Sequence, residues 1–245
     1  MKKSGRLLAA LMMLPGSSAF ALGPVDLDVQ VAGWKSSVSG TTNTNSAPDI
    51  DLKNDLGLSD KNVIFARGRL HVTMLGNVYV GYTPIKYDAT QTLGKGITYD
   101  NKTFTPGTSL QTDVELKTYD LGWTFSPLDV GVVETELGLN LKYVDGSIAL
   151  KGAGQTASAT FSGPIPMLKA VIRANVPFVK AEVDAMGIVY QGNHVYDVTA
   201  QVKFSPVPVF YVAGGYRHIE LEVKDGSDKA TAKNSGPFLG IGANF

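Results

Sequence analysis

Five segments of this chain alternate apolar and polar residues at a period of two, each for roughly the nine to eleven residues of a tilted strand that crosses an apolar layer. Val25, Leu27, Val29 and Val31 alternate with Asp26, Asp28, Gln30 and Ala32; Ile64, Ala66, Gly68, Leu70 and Val72 alternate with Phe65, Arg67, Arg69 and His71. Val133, Thr135, Leu137, Leu139 and Leu141 alternate with Glu134, Glu136, Gly138, Asn140 and Lys142. The same pattern recurs from Val179 to Tyr190 and from Tyr196 to Phe204. Successive side chains of a strand point to opposite faces, so this period builds strands with one apolar and one polar side. Weaker alternation near 77–87, 110–124, 163–175, 207–221 and 236–245 brings the expected count to about ten, with eight or twelve as alternatives. In the last segment Pro237, Leu239, Ile241, Ala243 and Phe245 share one face, and Phe238, Gly240, Gly242 and Asn244 share the other.

The expected fold class is all-β: a transmembrane, antiparallel, up-and-down barrel of one domain, residues 22–245. Short turns are expected at Met74–Asn77, Ser126–Asp129, Asn175–Pro177 and Ser205–Pro208, and longer polar loops near 37–61, 88–109, 144–162 and 222–235. Gln191–His194 is the one short connection on the long-loop side. Lipid offers no hydrogen bonds, so a sheet within it must close on itself to pair every backbone group. With ten strands, both termini fall on the short-turn side.

The first 21 residues read as a secretory signal peptide. Lys2, Lys3 and Arg6 precede the apolar run Leu7–Leu14, Pro15 and Gly16 break it, and Ala19-Phe20-Ala21 supplies a small-x-small cleavage site. No later apolar stretch approaches the ~20 residues that a membrane helix requires. The chain has no Cys, which removes disulfides, Cys-ligated zinc and thiol nucleophiles together. Without Lys2, Lys3 and Arg6, the 22 basic residues fall to 19 against 22 acidic ones, and no basic tract suggests nucleic acid.

Parity then places the charges. Asp26, Asp28, Arg67, Arg69, Asp113, Glu115, Lys117, Glu134, Glu136, Lys169, Arg173, Lys180, Glu182, Asp184 and Lys203 are expected to face inward as a nearly balanced set. An interior filled by ion pairs is expected rather than a conduit, because barrels of about eight strands are just filled by side chains while aqueous channels appear at 16–18. A turn centred on Val176-Pro177 would set Lys169 against Asp184 and Arg173 against Lys180, with Glu182 nearby. A tight turn at Pro127 would set Lys117 against Glu136. Tyr82, Trp123, Tyr143, Tyr196, Phe210, Tyr216 and Phe245 read as interfacial aromatics. Trp34 turns inward by parity, which suggests a bulge near Gly33 or an interior plug.

Three features together resemble a family of small Gram-negative outer-membrane barrels named for a Gly-Gly pair. They are the terminal Phe245, Gly214-Gly215 before Tyr216-Arg217-His218, and the segment Ile50–Leu58. The last strand with its terminal Phe also resembles the insertion signal of such barrels, which makes Phe245 an assembly signal. The resemblance covers essentially the whole chain after the signal peptide and implies an outer-membrane location, export through the periplasm and contact with the barrel-insertion machinery, membrane lipid and lipopolysaccharide. It brings no catalytic residue, cofactor or substrate.

Outer-membrane enzymes that this chain could resemble, omptin-like proteases and lipid A deacylases, use His. Here His218 stands in His-x-Glu, without the Ser of a His-x-Ser pair, and His194 lies beside Asp197 without identifiable partner acids. The expectation is no enzyme. Asp49, Asp51, Asp55 and Asp60 could offer oxygens to Ca²⁺, but their spacing is not that of an EF-hand, and a solvated loop is expected. Alternatively Leu52, Leu56 and Leu58 fold that loop over or into the barrel mouth. Two roles remain: a mainly structural or surface-loop interaction protein, or a narrow channel for small or apolar solutes.

Overall fold

The computed structural model describes residues 25–43, 48–73, 75–225 and 228–245. The signal peptide expected at 1–21 lies outside the described residues. The strands are β1 (Val25–Asn43), β2 (Ile50–Asp51), β3 (Lys61–Val72), β4 (Gly76–Thr92), β5 (Ile97–Tyr99), β6 (Lys102–Phe104), β7 (Ser109–Asp129), β8 (Val133–Gly152), β9 (Gln155–Val176), β10 (Val179–Tyr190), β11 (Asn193–Phe204), β12 (Phe210–Asp225) and β13 (Asp228–Asn244). Each long strand pairs antiparallel with its neighbour in sequence, and β13 returns to pair with β1, closing the sheet. Setting aside the two-residue β2 and the separate hairpin β5–β6, ten strands make the wall. Phe245 is the seam: its N–H donates to the Leu27 carbonyl and its carbonyl accepts from the Leu27 N–H, both at 2.9 Å.

The wall has two halves with opposite rules. At the end holding the termini, outward residues are apolar: Val80, Leu121, Leu139, Leu168, Leu239 and Ile241 are all exposed, and the inward ones between them are polar. This half is an apolar belt. On β4, β7 and β8 the rule reverses past Tyr82, Tyr119 and Tyr143, which lie side by side in register with ring centroids 5.0 and 6.4 Å apart. Beyond them the inward positions are apolar and buried (Ile85, Tyr87, Leu110, Leu150), while Lys86, Asp88, Gln111, Glu115 and Lys151 point outward. Trp123, Phe125, Phe178, Phe204, Phe210 and Phe245 ring the opposite end of the belt. Aromatic rings at both borders are the pattern of a barrel that meets lipid along its belt and water beyond it.

This reversal corrects the loop assignment. Much of 37–61, 88–109, 144–162 and 222–235 is strand: β1 runs to Asn43, β4 to Thr92, and β8 and β9 are joined by only Ala153-Gly154. Their outward residues are polar because the wall extends into water. Trp34 needs no bulge, since β1 pairs with β3 without a register shift from Val25↔Val72 to Ser36↔Lys61. It points into the apolar filling of the extension, with its indole N–H donating to Gly236 O at 3.1 Å.

Candidate functional site

The interior is where chemistry could occur, and it is filled in two layers. The upper layer, inside the extension, is a hydrophobic plug. Ile50, Leu52, Leu56 and Leu58 are buried against Trp34, Val38, Phe65, Ile85, Tyr87, Leu110 and Phe104. The segment is locked locally: Asp51 Oδ1 accepts from the N–H groups of Lys53 and Asn54 at 2.9 and 2.6 Å, an Asx-type turn. Asp55 Oδ2 accepts from Asp51 N–H at 2.8 Å and pairs with Lys95 at 2.8 Å. Gly57 takes φ +71°, and a Cβ there would meet Gln91 Oε1 at 2.6 Å. Of the carboxylates weighed as calcium ligands, Asp51 and Asp55 are thus engaged in shaping the turn and Asp49 accepts from Asn43, and among the described residues no acid or His cluster has metal-binding geometry. Of the two alternatives for this loop, the structure realises the one in which its leucines enter the mouth.

The lower layer, inside the belt, is ionic. Glu136 is fully buried and accepts from Tyr79 Oη at 2.6 Å, Thr124 Oγ1 at 2.5 Å and Arg69 Nη1 at 3.2 Å, with Arg173 Nη1 also on it. Arg173 Nε reaches Glu182 at 2.7 Å, and Glu182 accepts from Gln201, which accepts from Gln30. Lys203 pairs with Asp28 at 2.9 Å, and Tyr211 Oη donates to the same carboxylate at 2.7 Å. Lys169 Nζ lies 2.6 Å from Asp184 Oδ2 and 4.4 Å from the Tyr79 ring centroid.

A second knot sits just under the plug. Asp197 accepts from Arg217 Nη2 at 2.8 Å and Lys142 Nζ at 3.1 Å, and Lys142 also reaches Asp120 at 2.8 Å. Arg217 lies under Trp34 and Phe65, 5.5 and 4.9 Å from their ring centroids. The cations Arg67, Arg69, Lys142, Lys169, Arg173, Lys203 and Arg217 face the anions Asp28, Asp120, Glu134, Glu136, Glu182, Asp184 and Asp197. Among the described residues, these ion pairs bring together seven charges of each sign.

Of the fifteen charges expected to face inward, Asp28, Arg67, Arg69, Glu134, Glu136, Lys169, Arg173, Glu182, Asp184 and Lys203 join these ion pairs. Lys117 does not. It lies on the outer wall of the extension, 2.9 Å from Glu115, directly across from Asp145 rather than Glu136. The expectation failed because β7 carries apolar Val114 and Leu116 inward at that height, and because the turn expected at Ser126–Asp129 is strand: β7 runs on to Asp129, so the chain reverses at Val130–Val132. Asp113 and Glu115 are outward for the same reason. The β9–β10 turn also centres one residue later than expected, on Pro177-Phe178, where Phe178 takes φ 65°. Asp184 therefore stands opposite Val171 and reaches Lys169 diagonally, while Arg173 stands opposite Glu182 rather than Lys180. Asp120, Lys142, Asp197 and Arg217 were missing from the expected set. Lys142 and Asp197 sit on the polar faces of clean alternations, so parity alone could have found them.

Asp184→Ala is expected to lower resistance to unfolding in detergent, and Lys169→Ala combined with it to recover part of that loss. Additive effects in the double-mutant cycle would exclude coupling. On the outer wall of the extension, Glu220 gathers Lys233 at 2.8 Å, His218 at 3.3 Å and His194 at 3.4 Å. The hydrogen bond from Lys233, followed by those from the two His, holds its carboxyl down at about 2. A depressed carboxylate contributes stability above its ordinary value of 4.5 and loses it as the pH falls toward 2. The difference in melting temperature between the parent and Glu220→Gln is thus expected at pH 7 and should vanish across that window.

No protein family matches the chain by sequence, and no curated relative does either. Solved structures do match. The outer-membrane protease OmpT from Escherichia coli superposes with a TM-score of 0.59 at 8% identity, over 94% of this chain and 99% of that one. The translocator domain of the autotransporter NalP from Neisseria meningitidis gives 0.45 at 10% identity, over 91% of this chain and 89% of that one. The attachment invasion locus protein Ail of Yersinia pestis gives 0.41 at 12% identity, over 90% and 99%. The chain has the closed antiparallel fold of bacterial outer-membrane β-barrels, and the likeness extends to fold alone.

Proposed function

We propose that this chain is a non-conducting barrel of the bacterial outer membrane, with a structural or surface-interaction role carried by the part of its wall that projects beyond the lipid. The observation that carries this reading is the doubly filled interior. The cavity among the ion pairs, lined by Asp28, Arg67, Tyr79, Arg173, Asp184 and Lys203, measures only about 30 Å³, room for about one water. Above it the plug is apolar apart from the hydrogen-bonded cluster of Ser36, Tyr87 and Asn234. An ion crossing this interior would have to break an ion-paired, hydrogen-bonded network and then enter a hydrocarbon-like layer, and both steps are costly.

In this reading the belt sits in lipid, the termini face the periplasm, and the extension stands among lipopolysaccharide headgroups. The last strand, with Phe245 at the seam, is the segment the insertion machinery engages. No catalytic role is part of the proposal. His194 and His218 both turn to the same carboxylate, an arrangement that activates no hydroxyl nucleophile. Purified protein in planar bilayers is expected to stay silent across voltages. Discrete openings would favour a channel for small or apolar solutes instead, and turnover of lipopolysaccharide or peptides by the same preparation would overturn the non-enzymatic reading.

A further inference from the structure

The extension is not a closed wall. β9 pairs with β8 along its whole length, from Gln155↔Gly152 to Ala174↔Val133, but with β10 only from Leu168 to Val176. The cause is in the sequence. In a two-residue hairpin the closing pair Val176–Val179 exchanges hydrogen bonds, so the even-numbered residues of β9 aim their N–H and C=O groups at β10. Pro164 and Pro166 fall on that side and have no N–H to give. β10 separates from β9 at these prolines. Beyond them β9 continues for another turn-to-turn length with no strand in ladder register on that side among the described residues, although β6 lies close to it. Thr156, Ser158, Thr160 and Ser162 present their backbone groups to this open edge, where Lys102 Nζ donates to the Thr156 carbonyl.

Beyond Pro164 and Pro166, the stretch Thr156–Ser162 of this edge lacks the usual protection. Native edges are blunted by charge, bulges or proline. From Gln155 to Met167 there is no Asp, Glu, Lys or Arg, the pairing with β8 has no register shift, and residues 158–162 are exposed on both faces. Beside the notch stand two apolar features, Phe161 packed over Gly146 and the exposed Tyr190 at the tip of β10.

We infer that this edge is a docking site for an extended polypeptide segment of another protein, which adds to β9 as a further strand over Thr156–Ser162. This rests on the interaction reading above and gives it a place. Main-chain hydrogen bonds supply the affinity, and alternate side chains of the partner find Phe161 and Tyr190. The partner segment is uncharged and free of proline, since the edge offers no charge to match and requires N–H donors. A second copy in the same membrane does not fit. Barrel strands tilt by about 35–45°, so an axis along the membrane normal would cross two β9 strands at roughly twice that angle, far from any ladder.

The test uses the full chain in nanodiscs and a phage-displayed library of random octapeptides as the probe. Selected peptides should be uncharged, should bind the parent protein, and should lose about tenfold or more in affinity on Thr160→Pro, which removes an edge donor but no bond to β8. Thr160→Ala should leave their affinity within about twofold, because the backbone is what is read. Ser158→Pro is the second variant, and circular dichroism with the heat-induced gel shift verifies that each variant folds. A selection that yields no binders, or binders indifferent to both proline substitutions, overturns the docking site. Bilayer recordings on the same preparation separate the two readings: openings would overturn the closed barrel whatever the peptides do.

Discussion

Glu136→Ala is expected to destabilise the barrel more than any other single change in the belt, by about 3–5 kcal/mol, read as a shift in the denaturant midpoint of protein refolded into lipid vesicles. The carboxylate is fully buried and takes four donors, from Arg69, Tyr79, Thr124 and Arg173. Removing it leaves two guanidinium groups near each other in a buried interior, with Glu134 and Glu182 to share between them. The cost comes less from the missing attraction than from the stranded charge. Arg173→Met in the same protein should therefore recover part of the loss, since an apolar replacement for a whole buried pair is often close to neutral. A loss under about 1 kcal/mol for Glu136→Ala would mean that water already reaches this site and screens it.

Leu56→Asp is expected to release the plug. Leu56 has no solvent exposure, and truncating a buried Leu already costs about 2–5 kcal/mol before any charge is introduced. The segment is held by its three leucines and by polar bonds at its rim, chiefly Gln91 to Asn54 O at 2.6 Å and Lys95 to Asp55. Once a carboxylate replaces the central leucine, the rim bonds alone cannot hold the segment down, and the exposed Lys53 becomes a cleavage site. Limited trypsin digestion should nick the variant at Lys53 at least about thirtyfold faster than the parent, the factor that corresponds to roughly 2 kcal/mol of weakened docking. The ionic layer below is untouched, so the variant should remain silent in bilayers. Equal cleavage rates would mean that the plug is not held by its leucines.

The sequence showed the belt well and the extension badly, for one reason. Within the belt the pattern runs apolar-out and polar-in, so Leu137, Leu139 and Leu141 against Glu136 and Lys142 could be read directly. Past Tyr143 the same strand, in unbroken register, puts Val144 and Leu150 inside and Asp145 and Lys151 outside. Parity does not change there; the solvent does. A reading that ties polar residues to the interior turns such a stretch into a loop, or turns Lys117 into a lumen charge. Trp34 carried the missing information, because a large indole inside a barrel requires an apolar layer around it. The plug was legible as an alternative in Leu52, Leu56 and Leu58. The one-residue difference at Pro177-Phe178 was not, since Phe at positive φ is uncommon and nothing nearby announces it.

The reversal at the tyrosine border also fixes the vertical position of the molecule. Sliding the barrel up by two residues would lift Leu121, Leu141 and their neighbours toward water; sliding it down would draw Lys86, Glu115 and Lys117 into hydrocarbon. Most barrels can accept a thinner or thicker bilayer by small adjustments at their rims. Here the inner filling is matched to the same boundary, ions below and hydrocarbon above, so a shift in depth would misplace both surfaces together. The chain is graduated along its own axis, and reconstitution into bilayers of varied acyl length should show one thickness at which it is most stable.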